Sequence, residues 1–140
     1  MQVDIIDPMS GLNKPLFKAC VRSVISGENQ TADYVNIIFK KRDDLRLLKK
    51  EYFGQSVYTD VIAFNLNDPD DDIEGEIYLS QEQIKQNALE FNTDPEEELF
   101  RVLIHGCLHL CGYEDETPES KNEMTNLENE YLQKLKDLKS

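Results

Sequence analysis

The chain of 140 residues has no tryptophan, only two histidines and three cysteines, and only 15 lysines and arginines against 28 acidic residues. Each scarcity excludes something. Cys20, Cys107 and Cys111 are too few, and odd in number, for a disulfide framework, and MQVDIIDPMSGLNKP shows no basic, apolar targeting segment. Together these point to reduced thiols in a cytoplasm. No stretch approaches the roughly 20 apolar residues that cross a membrane, so no membrane partner is expected. A net charge of −13 disfavours indiscriminate binding to polyanions, because the long-range field repels them. A nucleic-acid ligand would have to meet cations gathered locally, or be delivered by a partner. Internal repeats, low-complexity tracts and long linkers are missing as well. What remains, at 39% hydrophobic residues, is one domain large enough to bury a core.

The apolar pattern predicts an α+β fold, a small mixed sheet packed with helices. Gln2 to Ile6 alternates as a short strand. Asn13 to Ile25 repeats at helical spacing, with Gly27 as its stop. Tyr34 to Phe39, Thr59 to Leu66 and Ile73 to Leu79 read as strands, the last two separated by the turn NDPDDD. Asp43 to Tyr52 is helical. Ser80 and Gln83 form a capping-box pattern for a helix to about Phe91. Asp94-Pro95 opens a central helix from Glu96 to about Cys111, ended by Gly112, and Thr117-Pro118 opens a last polar helix to Leu138.

That central helix carries both histidines. His105 and His109 are four residues apart, so they share a face with Cβ atoms roughly 5–6 Å apart, close enough to hold one metal ion together. Beyond Gly112 the chain can turn back with a third ligand: Asp115 is well placed and Glu114 is its rival. Cys107 and Cys111 lie about 200° around the helix from His105 and His109 and are expected in the core. Zinc peptidases built on such a helix place a glutamate after the first histidine as general base. Here that residue is Gly106, which removes the base and is expected to leave room beside the metal.

The segment His105-Gly-Cys-Leu-His-Leu-Cys-Gly-Tyr-Glu-Asp115 resembles the signature of the YbeY family, His-Gly-x-Leu-His-Leu-x-Gly-Tyr-Asp-His. Thr59-Asp-Val-Ile-Ala-Phe64 and Gly75-Glu-Ile-Tyr-Leu-Ser80 resemble two further family segments, in the same order. The resemblance implies a single YbeY-like domain over residues 1–140, with the metal site on the central helix and the turn after it. It implies a metal-dependent endoribonuclease acting on single-stranded RNA, in rRNA processing that includes the 3′ end of 16S rRNA and in ribosome quality control. Zinc is the implied metal, and proteins of the small ribosomal subunit are further partners. Asp115 stands where the family has its last histidine, and a carboxylate is an acceptable zinc ligand. Phe53 stands where the family has a functional arginine. His105 is therefore a catalytic candidate together with a substitute cation. Arg101 is on its helix face one turn earlier, although Glu97 and Glu98 can pair with it. Lys49 and Lys50 are the other choices.

Two alternatives belong to other classes: a ribosome assembly factor with a structural metal, and a zincin-like metallopeptidase. The basic run of Lys40, Lys41, Arg42, Arg46, Lys49 and Lys50 reads either as an RNA contact or as a solvated face. Asp68 to Asp72 lacks the glycine and closing glutamate of an EF-hand loop and reads as a solvated turn.

Overall fold

The computed structural model describes residues 1–139. Strands β1 (Gln2–Ile6), β2 (Ala32–Lys40), β3 (Val61–Asn65) and β4 (Ile73–Ser80) form one mixed sheet in the order β1-β2-β4-β3. β1 and β4 both run parallel to β2, whereas β3 closes the edge antiparallel to β4. The helices are α1 (Lys14–Gly27), α2 (Arg42–Phe53), α3 (Gln81–Glu90), α4 (Pro95–Leu110) and α5 (Pro118–Lys139). The fold is α+β, as the apolar pattern predicts. No described helix is long and apolar enough to cross a membrane.

Side-chain alternation explains how the layers form. On β4, Ile73, Ile77 and Leu79 are buried toward α4, and Val35, Ile37 and Phe39 of β2 continue that face. Phe17 of α1 packs between Phe39 and Phe100 of α4, with ring centroids 6.0 and 5.6 Å away. α4 is buried on most of its surface and touches α1, α3, α5 and the β3–β4 edge, so it is the pillar of the core. The opposite sheet face is covered by α2, where Leu45, Ile38 and Ile62 are buried outside the main cluster.

Two glycines permit close packing. A Cβ on Gly75 would stand 2.7 Å from Leu110, and one on Gly106 would stand 3.0 Å from Ile77 and 3.2 Å from Val61. Gly106 therefore faces the sheet and lets α4 settle on it. The expectation that it opens space beside a metal is corrected, because position 106 points about 100° away from the histidine face. Gly27 stops α1, as expected. It is the last helical residue of α1, and the left-handed conformation falls on Asn29. Gly27 is small because the Tyr131 hydroxyl lies 2.3 Å from where its Cβ would be.

Candidate metal centre

The site is built on the last two turns of α4. Asp94 caps this helix by accepting from the Glu97 amide at 3.1 Å, and Pro95 occupies its first turn. Its other end closes in a Schellman arrangement: the amides of Gly112 and Tyr113 donate to the carbonyls of His109 and Leu108. Gly112 adopts φ +100°, a left-handed value that carries a penalty for residues with a Cβ. The reversal sends Asp115 back over the helix face that bears both histidines.

His105 Nε2 lies 3.0 Å from His109 Nε2, and Asp115 Oδ2 lies 3.2 and 3.8 Å from these two nitrogens. Ligand atoms around a tetrahedral zinc ion are separated by roughly 3.3 Å, given bonds near 2.0–2.1 Å. The other ring nitrogens show why the arrangement suits a cation. His109 Nδ1 donates to the Tyr113 carbonyl at 2.9 Å, and His105 Nδ1 donates to Glu128 Oε2 at 2.8 Å. Both acceptors fix the tautomer, so in the neutral rings both Nε2 lone pairs converge without a hydrogen between them. Such a pair needs a proton or a metal ion to bridge it. The donor set thus fits one cation held by His105, His109 and Asp115, which form a possible ligand group among the described residues.

Electrostatics point the same way. Burial works against charging His105, but the hydrogen bond and charge of Glu128, with Asp115 and Asp60, outweigh it and raise its pKa. Burial and the neighbouring positive charge of His105 lower that of His109. One positive charge between the rings is therefore favoured and a second is not.

The ligands stand in a cleft of about 970 Å³ between the end of α2, β3, the end of α4 and the turn after it. Asp60, at the entry to β3, also lines it. Its carbonyl accepts from the Ser80 amide at 3.0 Å and its carboxylate from Asn87 Nδ2 at 3.0 Å, while burial raises its pKa. Ser80 caps α3 through the Gln83 amide, as its position predicts. The Gln83 side chain departs from the capping-box pattern, bonding Asn87 and Arg42 instead.

Lys49 faces the cleft, as does Lys121 of α5, which sequence reasoning missed. Arg101 turns to α5, where Nη1 meets Glu128 at 3.3 Å and Nη2 meets Asn129 at 2.8 Å. Its hydrogen bonds thus go to Glu128 and Asn129 rather than to the expected Glu97 and Glu98, although its charge still acts on the Glu98 carboxylate. Arg42 and Arg46 gather at the ring of Tyr58, which divides the basic run between two places. Glu114 lines the cleft but is not in the ligand group. Cys107 is fully buried and Cys111 packs against the core; burial pushes both thiols up, Cys111 to about 12.

Glu128 and Asp60 were also missed. Glu128 left one faint trace. Met124, Tyr131, Leu132 and Leu135 form the buried stripe of α5, and an acid occupies the helical position between them, only 7% exposed.

The family model described as Endoribonuclease YbeY matches residues 9–136. A protein named Endoribonuclease YbeY from Chlorobium luteolum is 40% identical over 124 residues, covering 89% of this chain and 90% of that one. Its namesake from Flavobacterium psychrophilum is 40% identical over 112 residues, covering 80% and 79%. The solution structure of TM1509 from Thermotoga maritima superposes with a TM-score of 0.66 at 31% identity, covering 96% of this chain and 89% of that one. With the family model matching residues 9–136 and relatives 40% identical over most of its length, the chain belongs to the YbeY endoribonuclease family.

Proposed function

We propose that residues 1–140 form a single metal-dependent endoribonuclease domain that cleaves single-stranded RNA. Its role is rRNA processing in the cytoplasm, including maturation of the 3′ end of 16S rRNA, and ribosome quality control, with proteins of the small ribosomal subunit as partners. One observation carries the reading: two tautomer-fixed Nε2 atoms and the Asp115 carboxylate converge in a cleft with room for a polynucleotide strand.

His105, His109 and Asp115 would hold one zinc ion. The chemistry zinc supplies when bound is Lewis-acid polarisation of the scissile phosphodiester and activation of water. The chain's own residues prepare that site. Glu128 and the Tyr113 carbonyl aim the two imidazoles, and Arg101 steadies Glu128, which makes it a positioning residue for His105. Lys49 from α2 and Lys121 from α5 offer positive charge to the phosphate backbone in the cleft. A peptidase reading lacks its base, since Gly106 stands in the glutamate position and faces the sheet.

The test is cleavage of a single-stranded RNA by the purified protein. Chelation abolishes cleavage and added zinc restores it. His109→Ala loses stoichiometric metal and activity together, and Asp115→Asn weakens metal binding far more than Glu114→Gln. Full metal retention by His109→Ala would sink the site. RNA binding without cleavage at any metal loading would transfer the protein to the assembly-factor class.

A further inference from the structure

The cleft extends past the three ligands to the last turn of α2. Phe53 lines it there and is 48% exposed, a large apolar ring left in water. It belongs to an aromatic shelf. Phe53 lies nearly parallel to Phe64, with centroids 5.9 Å apart and planes inclined by 14°, and Tyr52 meets Phe64 edge-on at 5.2 Å. Lys49, one helical turn before Phe53, holds its ammonium 4.5 Å from the Phe53 ring centroid. An aromatic face with a lysine beside it, in a cleft that also holds a metal-ligand triad, combines the two elements of single-strand recognition: a stacking surface and a cation for the backbone.

We propose that Phe53 is a nucleobase-stacking subsite for single-stranded RNA, with Lys49 binding the phosphate next to the stacked base. The proposal rests on the endoribonuclease reading and deepens it. A base stacks on the ring while the ammonium moves from the ring to the phosphate, so the lysine trades a cation–π contact for an ion pair. Every base has a π face, so the subsite is tolerant of sequence. A base within a duplex is already stacked on its neighbours and cannot lie on Phe53, so the subsite also selects for single strands.

Because the chain has no tryptophan, Phe53→Trp creates a lone fluorescent reporter. On rapid mixing of the zinc-loaded variant with a short oligoadenylate, its emission falls before cleavage occurs. Inorganic polyphosphate, which can draw Lys49 off the ring but has no base to stack on it, changes the emission far less. Phe91→Trp, at the exposed end of α3 and outside the cleft lining, stays silent with both probes. Phe53→Leu retains apolar bulk without a π face; it raises KM for RNA roughly five- to a hundredfold at unchanged zinc content, the range of one lost stacking contact. Two results overturn the subsite and leave the endoribonuclease reading intact. One is a silent tryptophan at position 53 with an unaltered KM in Phe53→Leu while the parent cleaves RNA. The other is equal quenching by polyphosphate. A parent that cleaves no RNA overturns both.

Discussion

At the scale of single residues, the contact that decides the site is Glu128 to His105. A carboxylate that accepts from the outer nitrogen of a ligating imidazole fixes the ring and makes its inner nitrogen a better donor. Here Glu128 is 7% exposed and is itself held by Arg101 at 3.3 Å, so its position is determined from two sides. Glu128→Ala is expected to weaken metal binding about 10–100-fold, the usual cost of losing such a partner. Glu128→Gln, which can still accept from Nδ1–H, should recover part of the loss. Competition against a chromophoric chelator measures both constants. Parent-like affinity in Glu128→Ala would mean that His105 is oriented by packing alone.

At the scale of elements, α4 and the turn after it explain why part of the site was legible and part was not. The histidine pair could be read because both residues ride one helix, whose period fixes the face they share. Gly112 could be read as its terminator because few other residues adopt φ +100° at so small a cost. The face of Gly106 followed from the same period, and the expectation of open space beside the metal failed for not applying it. Glu128 and Lys121 come from α5, and their approach depends on how two helices pack, which local periodicity does not encode. The strand order was equally hidden. The NDPDDD turn suggests that β3 and β4 are neighbours, but placing β4 between β2 and β3 requires a parallel pairing across more than thirty residues. The element-scale prediction concerns the turn. Gly112→Ala puts a Cβ on a left-handed residue at a cost of about 1–2 kcal/mol, and strain there displaces both the Tyr113 carbonyl and Asp115. Metal affinity should therefore fall together with thermal stability. Gly54→Ala carries a comparable φ of +70° at the end of α2 and should reduce stability while sparing metal binding. Equal losses of metal affinity in the two variants would separate the turn from ligand placement.

At the scale of the whole molecule, the net charge of −13 must be reconciled with an anionic substrate. The cleft concentrates what positive charge it has: Lys49 from α2, Lys121 from α5 and the charge of a metal ion once the triad is loaded. The remaining surface repels RNA, which leaves binding to short-range contacts with the cleft. Salt dependence reads out that division. Two lysine–phosphate contacts on a single strand predict a slope of log affinity against log salt of about −1.4. Salt also screens the repulsion from the rest of the chain, which favours binding and makes the slope shallower. The expected value therefore lies between about 0 and −1.4, measured by anisotropy of a labelled single-stranded RNA over roughly 50–200 mM salt. Lys49→Ala or Lys121→Ala should bring it closer to zero by about 0.7 each. A slope steeper than about −3 would require more phosphate contacts than the cleft lysines supply. It would transfer the RNA path to the outer basic face of α2, where Arg42 and Arg46 surround Tyr58.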